Sequence, residues 1–337
     1  MAIGAGTVTL ADYALMSNSP LIQRVAFSLI DNGSVLQDIP FITKKSLIVN
    51  GTRFEGNLPS VNWAQLNAEG VTTKGTPTPW QEQAYLIRNY IDVDQVLVEE
   101  ENAITDPRAI QLAAYLKAVT YDFNYKFIKN DHITGDANSV VGLKYRIANG
   151  SAGYGVRSEN LINGGGLDLT QAAATQATAN KLLELLDQLL WSVDNQEGTG
   201  VTIYMNEVFK RRLPFLARLM GTSGGFKTTE DQFGRTIDKY KGATLRDIGY
   251  KADQSTRIIT NTETSDGLLD TTSTYTSLYA VNFSDDHFGG WQFGPLQAQD
   301  LGLINNGVIY RTNINWVVGL ANNSNRSLGR IYGLKMS

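Results

Sequence analysis

The chain has 337 residues, of which 42% are hydrophobic and 18% are charged, and its formal net charge at pH 7 is −4. This length allows about two domains with a sizeable core, and the net acidity argues against a dedicated, strongly basic nucleic-acid binder. The absence of cysteine excludes disulfides, thiol catalysis and Cys-ligated metals. No apolar run reaches the length of a membrane span and residues 1–30 lack a basic signal-peptide start, so we expect a soluble cytosolic protein, much of whose weakly charged surface contacts other subunits.

The first 40 residues predict an amphipathic arm. Thr9 to Asp12 resembles a capping box with Asp in place of Glu, and Ser19-Pro20 has the pattern of a second helix start. The apolar stripe of this second helix consists of Leu21, Ile22, Val25, Leu29 and Ile30. Because such a short helix is weak alone, it needs a partner surface, either in the same chain or in a neighbouring subunit.

Residues 41–97 predict a long hairpin with a wide, polar tip. Lys45–Phe54 and Tyr85–Val96 have the pattern of strands, and the span between them is rich in Pro, Gly and Thr. A two-stranded hairpin is marginal in water, and loops of this length are usually functional or disordered. Trp63 and Trp80 are large aromatic residues in this span, which makes them candidates for contact with a neighbouring subunit.

The clearest predicted element is a long helix over Asp106–Asp131. Asp106 is a suitable N-cap, and Pro107 suits the first helical position. Two apolar rows follow at spacings of three and four residues, so the helix should be covered on more than one side. The first row is Leu112, Leu116, Val119, Phe123 and Phe127, and the second is Ile110, Ala114, Ala118, Tyr121, Tyr125 and Ile128.

The middle of the chain predicts a mixed domain in which helices and strands alternate. We expect a strand at Leu143–Ile147, a helix capped by Thr170 and a strand at Val201–Met205. A short helix should follow over Glu207–Leu213, where Pro214 ends or kinks it.

The last third of the chain predicts strands. Short strands are expected near 235–249 and 256–262, followed by Leu278–Phe283. Val308–Leu320 alternates apolar and polar residues, and its apolar face should cover one side of the long helix. Leu328–Leu334 is expected to return beside it as the second strand of a hairpin.

Motifs that could support catalysis lack the necessary context. Gly221–Gly225 fits the G-x-S-x-G pattern of a nucleophile elbow, which requires a preceding strand and a histidine base. The loop instead follows a predicted helix, and the chain contains only two histidines. The same loop nearly spells a phosphate-binding P-loop, but Phe226 occupies a position that needs glycine. A hydrolase that uses Gly221–Gly225 is therefore the weakest functional alternative.

The best metal candidate is Asp285-Asp286-His287. Adjacent residues on an extended chain point to opposite faces, and no second ligand cluster is visible, so a solvated turn is favoured. We assign no catalytic residue, no metal ligand and no cofactor.

A basic patch lies on the predicted 207–213 helix at Lys210, Arg211 and Arg212. These residues are candidates for a solvated helix face, for a subunit contact or for loose, sequence-independent contact with DNA phosphates. The patch lacks interleaved aromatic residues for base stacking, which favours weak contact at most.

The order of segments resembles the major capsid protein of tailed bacteriophages, which has the Hong Kong 97 fold. Thr9–Phe41 resembles the N-terminal arm, Asn57–Val98 the extended loop, and Asp106–Asp131 the spine helix. Val201–Asn206 with its following helix resembles the core of the axial domain. The stretches that resemble the return to the peripheral domain are Leu278–Trp291 and Val308–Leu334.

This resemblance implies an α+β fold of the Hong Kong 97 type with five parts. They are the N-terminal arm (1–40), the extended loop hairpin (41–97), the peripheral domain with its spine helix (98–149, helix 106–131), the axial domain (150–305) and return strands of the peripheral domain (306–337).

The resemblance also implies a structural subunit and not an enzyme. Such subunits form hexamers and pentamers and close into an icosahedral shell around double-stranded DNA, which they contact weakly and without sequence preference. The protein would belong to the virion, assemble in the host cytoplasm and have no membrane partner. The predicted arm starts within about ten residues of Met1, so we expect a separate scaffolding protein, with a portal and a decoration protein as further partners. An encapsulin-like bacterial shell with an enzyme cargo is the alternative within this fold.

Overall fold

The structure is a computed structural model that describes most of the chain. The described residues are 35–53, 58–99, 107–132, 135–148, 154–193, 200–219, 225–230, 236–263, 274–284, 286–304 and 307–336. They form two β-sheets, a two-stranded ribbon and a set of helices, and this mixture confirms the expected α+β class.

The described elements have the following bounds. The helices are α1 (Gln95–Glu99), α2 (Pro107–Lys129), α3 (Leu143–Ala148), α4 (Gln176–Ser192) and α5 (Glu207–Leu219), with short 3₁₀ turns at Val35–Gln37 and Ser158–Asn160. The strands are β1 (Phe41–Thr43), β2 (Ile48–Arg53), β3 (Thr78–Gln83), β4 (Tyr85–Asp94), β5 (Leu161–Asp168), β6 (Val201–Met205), β7 (Phe226–Glu230), β8 (Thr236–Tyr240), β9 (Ala243–Asp247), β10 (Thr276–Asn282), β11 (Phe288–Gln292), β12 (Gln297–Ile304), β13 (Ile309–Asn322) and β14 (Leu328–Lys335).

A five-stranded sheet packs against the long helix α2. Its strand order is β1-β11-β13-β12, and the fifth strand, β4, also pairs with β13. The ring centroids of Phe123 on α2 and Trp316 on β13 lie 5.7 Å apart. Ile314, Val318 and Leu320 are buried in the same core. The predicted long helix and its cover by the apolar face of 308–320 are therefore confirmed, while Asp106 lies outside the described residues.

A seven-stranded sheet forms the other half of the molecule, with the order β5-β14-β10-β6-β9-β8-β7. Strand β6 has the predicted bounds and is buried along its whole length. Its residues alternate between two cores, since Ile203 packs with α4 and α5 whereas Tyr204 packs with α2. The ring centroids of Phe127 on α2 and Tyr204 on β6 lie 6.0 Å apart, so α2 contacts both sheets.

The expected hairpin of 308–320 with 328–334 is wrong. β14 pairs antiparallel with β10 and parallel with β5, inside the seven-stranded sheet. Its residues are buried on both faces from Leu328 to Leu334. A strand covered on both faces needs a place inside a sheet between two layers, and a simple hairpin beside β13 would not give it one.

The expected pairing within residues 41–97 is also wrong. β2 pairs with β3, and Tyr85–Asp94 forms a separate strand that pairs with β13 from Ile309 to Val318. The apolar face of β4 packs on the core that contains α2 at Tyr85, Ile87 and Ile91, and Val93 of the same strand is buried. Burial of this face outweighs closure of the local hairpin.

One strand prediction and two helix predictions need correction. Leu143–Ile147 is helical, because its two apolar ends are four residues apart and fit one helix face as well as a short strand. Helix α4 starts at Gln176 and not after Thr170, since Thr175 and Thr178 form a reciprocal capping box. Helix α5 continues past Pro214 to Leu219, with buried Leu216 extending the apolar face beyond the proline.

The strand predictions of the second half are largely confirmed. β8 and β9 lie within 235–249, and β10 matches Leu278–Phe283 to within two residues. The expected strand at 256–262 is wrong, because the chain there makes only isolated bridges, Tyr250 with Arg257 and Glu263 with Tyr275.

Candidate functional site: an assembly surface

Strands β2 and β3 form a two-stranded ribbon that lies on the body of the subunit. Their antiparallel ladder runs from the pair Ile48–Gln83 to the pair Arg53–Thr78. Burial alternates along both strands, so that Arg53 and Glu82 are buried while their neighbours in the strands face solvent. The ribbon therefore has an inner face that is docked on the body and an outer face that is free of it.

A buried ion pair attaches the inner face at Glu82. The guanidinium of Arg146, on α3, donates two hydrogen bonds to the Glu82 carboxylate, at 2.5 and 3.1 Å. The side chains of Arg146 and Glu82 are only 2% and 9% exposed. Arg146 also donates to the carbonyl oxygens of Val141 at 3.1 Å and Leu320 at 3.4 Å. Its charge is therefore paired and its donors are engaged, which is the condition for burying a guanidinium.

A second arginine attaches the far end of β2. Arg53 Nη2 donates to the carbonyl oxygen of Asn322, at the end of β13, over 2.5 Å. Its guanidinium also lies 5.4 Å from the Trp80 ring centroid, within the range of a cation–π contact. The Trp80 ring crosses the backbone at Gly51, where a Cβ atom would overlap the indole. Glycine at position 51 is what allows the tryptophan to lie flat on the ribbon.

The segment that joins the two ribbon strands exposes large apolar side chains. Residues 58–77, which we call the exposed loop, contain no helix or strand. Trp63 is 97% exposed and Leu66 is 93% exposed. The exposed large apolar residues of this loop are Leu58, Val61, Trp63, Leu66 and Val71. Such a concentration on one loop is typical of a surface that another molecule covers.

The predicted contact residues fall into three groups. Trp63 is on the exposed loop, where its side chain is almost fully open to solvent. Trp80 is half-buried within its own ribbon, so its contact with a neighbour remains a prediction. The arm residues Leu21, Ile22 and Val25 lie outside the described residues.

The chain that follows the arm is held firmly in the core. The backbone N–H of Val35 donates to Asn124 Oδ1 of α2 over 3.1 Å. Asp38 Oδ2 accepts a hydrogen bond from the Tyr204 hydroxyl at 2.7 Å. Asp38 Oδ1 forms a salt bridge with Arg246 Nη2 at 2.9 Å. Burial raises the pKa of Asp38, and the Arg246 charge and the Tyr204 hydrogen bond oppose this rise. The chain at Val35 and Asp38 therefore has a fixed position in the core.

The basic patch is largely paired with nearby groups. Lys210 Nζ lies 3.7 Å from Asp238 Oδ2, and Arg211 Nη1 lies 3.8 Å from Glu207 Oε1. Arg212 donates to the carbonyl oxygen of Leu169 at 2.8 Å. The patch lies on α5, in the half of the molecule built on the seven-stranded sheet, and the structure does not bring it together with the ribbon.

The motifs weighed for catalysis and metal binding lie only partly within the described residues. Residues 221–224 and Asp285 lie outside the described residues, and the element before Gly221–Gly225 is the helix α5. The His287 ring nitrogen Nδ1 lies 2.9 Å from Ser284 Oγ. Among the described residues, no group of three His, Asp or Glu side chains is placed to hold a metal ion. In the same part of the chain, no helix is long and apolar enough to cross a membrane.

The ribbon anchors were not found from the sequence, although a signal for them exists. Glu82 shares the inward face of its strand with Trp80, and Arg146 stands between Tyr145 and the apolar Ile147. A charged residue at an inward position indicates a buried partner. The sequence pattern does not identify which charged residue of the chain is that partner.

Comparison with known proteins gives one family and one fold. The family model described as major capsid protein GP7 matches residues 18–170, a little under half of the chain. The search of curated proteins gave no match.

The holo-SrpI encapsulin complex of Synechococcus elongatus PCC 7942 matches with a TM-score of 0.58 at 12% identity, over 89% of this chain and 86% of that chain. The capsid of a native GTA particle matches with a TM-score of 0.58 at 11% identity, over 89% of both chains. The capsid of the Myoviridae phage XM1 matches with a TM-score of 0.52 at 12% identity, over 90% and 91%.

The chain has the Hong Kong 97 capsid fold. The family model covers the later part of the predicted arm, the predicted extended loop and the predicted spine helix, so over residues 18–170 the chain is similar to that family. The resemblance stated from the sequence is thereby confirmed. Helix α2 occupies the segment predicted as the spine helix, and the ribbon with its exposed loop occupies the segment predicted as the extended loop.

Proposed function

We propose that this capsid protein is the structural subunit of an icosahedral phage shell, that it forms hexamers and pentamers, and that the shell encloses a double-stranded DNA genome. The observation that carries the proposal is the exposed loop, which presents five large apolar side chains to solvent on a ribbon anchored by buried charges. Removing these side chains from water is favourable, and a neighbouring molecule that packs on the loop would do it. Repeated contacts of this kind between identical subunits close into symmetric assemblies.

The division into parts follows the same proposal. The arm would occupy residues 1–40, the extended loop 41–97 and the peripheral domain 98–149, followed by the axial domain at 150–305 and the return strands at 306–337. The pairing of β14 with β10 supports moving residues 328–335 from the last part into the axial domain.

The partners and the absence of enzyme activity are also proposals. Lys210, Arg211 and Arg212 would contact packaged DNA weakly, because acidic groups or backbone oxygens near them already satisfy part of their charge and donors. A separate scaffolding protein, a portal and a decoration protein are the partners that the resemblance implies. The protein would assemble in the host cytoplasm, become part of the virion and act without catalysis.

Electron microscopy and light scattering of the purified protein test this function. We expect closed shells or rings of subunits, formed by the protein alone or with a scaffolding protein. Monomers at every concentration, with or without that partner, would contradict the proposal.

The encapsulin-like shell is the second candidate, because the SrpI encapsulin complex has a TM-score as high as that of the GTA capsid. The contents of particles purified from their natural source separate the two functions. We expect absorbance at 260 nm from packaged DNA. Particles that hold an enzyme and no nucleic acid would favour the encapsulin-like function.

A further inference from the structure

We propose that the two arginine anchors set the direction in which the exposed loop leaves the subunit, and that this direction fixes the angle between neighbouring subunits. The anchors are the Glu82–Arg146 pair and the Arg53–Asn322 hydrogen bond. The part of the proposal that concerns neighbouring subunits rests on the proposed function, whereas the part that concerns the direction of the loop does not.

Side chains, and not a shared sheet, hold the ribbon on the body. Among the described strands, β2 and β3 pair only with each other. At the base of the ribbon, Trp291 Nε1 donates to the carbonyl oxygen of Ser46 at 3.1 Å, and the chain continues directly into β4. A ribbon attached at its base alone is free to pivot there. The contacts of Glu82 and Arg53 fix the inner face at two further points along its length.

The body positions the Arg146 guanidinium for the ribbon. The guanidinium carbon lies 5.1 Å from the Tyr154 ring centroid and 5.9 Å from that of Phe288. Together with its hydrogen bonds to Val141 and Leu320, these contacts fix the plane of the guanidinium. A bidentate pair with a planar group constrains the orientation of the carboxylate as well as its distance. Glu82, and with it β3, is therefore held at a defined angle.

Net stabilisation does not explain this pair well. Burying two charges costs desolvation, and well-packed apolar residues of similar volume often stabilise a fold as much or more. What apolar residues lack is directional bonding. The physical reason for charges at this position is therefore orientation of the ribbon.

A small change in this angle has a large effect at the loop. The six residues of β2 span about 20 Å, so a tilt of about 10° at the base moves the far end of the ribbon by roughly 3 to 4 Å. A shift of that size exceeds the tolerance of a packed side-chain contact. A contact between two different surfaces of identical subunits gives a closed ring only when the rotation from one subunit to the next has the right angle. A variable ribbon angle should therefore give shells of mixed size or open assemblies.

The direct test measures the ribbon angle in the unassembled subunit. The chain contains no cysteine, so Thr52→Cys on the exposed side of β2 and Asn180→Cys on the exposed side of α4 are unique sites for spin labels. Pulsed electron paramagnetic resonance then gives the distribution of distances between the labels. We expect a single narrow distribution in the parent protein. In the double variant Glu82→Leu with Arg146→Met we expect a folded subunit and a distribution at least about twofold wider.

Two further variants complete the design. Arg53→Met removes the other anchor and leaves the buried pair intact, so it decides the question if the double variant does not fold. Asp92→Asn is the matched control, because Arg311 binds Asp92 through two hydrogen bonds of 2.7 and 2.6 Å within the five-stranded sheet. This control should leave the distance distribution unchanged. A distribution as narrow as that of the parent in a folded double variant, or in Arg53→Met, would overturn the anchoring role.

Shell morphology tests the second half of the proposal. We expect uniform shells from the parent and the Asp92→Asn variant, and shells of mixed diameter from the anchor variants. Uniform shells from a variant whose ribbon angle has become variable would overturn the link between the anchors and shell geometry. Failure of the parent itself to assemble would count against the proposed function, and the label distances would still decide the role of the anchors.

Discussion

At the scale of single residues, aromatic side chains of α2 form part of the core. Phe123 is 3% exposed, and its ring centroid lies 6.3 Å from that of Phe127 and 5.7 Å from that of Trp316. It therefore contacts both its own helix and the sheet below it. If this large buried ring is removed, the neighbouring side chains cannot move in to fill its space, because they are themselves held by packing.

The variant Phe123→Ala should lower the free energy of unfolding by about 3–5 kcal/mol, since it loses buried apolar surface and leaves a cavity. Urea denaturation of the isolated subunit measures this change. Ile110→Ala on the same helix is the control, because Ile110 is 53% exposed and its replacement should cost about 0.5 kcal/mol or less. Similar losses in the two variants would show that Phe123 is not a core residue.

At the scale of elements, folding and assembly use different parts of the same segment. The ribbon strands β2 and β3 belong to the folded body, because their inner face is anchored by Arg53 and Glu82. The exposed loop between them adds little to the body, since its large apolar side chains remain in solvent. The border between the two roles lies at Thr78, where β3 begins.

Replacing residues 58–77 by a short Gly/Ser turn should leave the melting temperature of the subunit nearly unchanged, because loop closure depends only weakly on length. Shell formation should be lost, since the apolar contact with a neighbour is gone. Thermal melting and electron microscopy measure the two effects.

A second variant separates the chemistry of the loop from its length. Changing the five exposed apolar residues of 58–77 to serine keeps the loop and should abolish shells to the same extent. Normal shells from the shortened loop would show that it takes no part in assembly.

At the scale of the whole molecule, the charge distribution favours weak contact with the DNA that the proposed function places inside the shell. The net charge of −4 gives little general attraction for phosphates. The basic patch on α5 is partly neutralised by Glu207 and Asp238. Confinement in a shell needs no strong contact with the contents.

Free subunits should therefore bind duplex DNA poorly at physiological salt. A patch of three cations predicts a slope of log K against log salt of about −3 at most. Replacing Lys210, Arg211 and Arg212 by alanine should remove most of this slope without affecting folding of the subunit. Competition gel shifts across a salt series measure both quantities. A tight complex that prefers one DNA sequence would contradict this expectation.

The sequence by itself determined the elements whose signals are local. Pro107 and two apolar rows specify α2, a largely alternating pattern of apolar and polar residues specifies β13, and an apolar run after a glycine specifies β6. The exposed loop and Trp63 were likewise visible as a polar, proline-rich span with a large aromatic residue and no core to join. These features depend on side chains a few residues apart, so one stretch of sequence contains all the information they need.

The tertiary structure alone decided which strands pair and which charges meet. Periodicity shows that β4 and β14 have buried faces, but several strands could satisfy each face, and only packing of the whole chain selects β13 for β4 and β10 for β14. Glu82 and Arg146 are 64 residues apart, and neither has a local motif that names the other. Their pairing follows from placing the ribbon over α3, because a buried charge must find its partner wherever the fold brings one within reach.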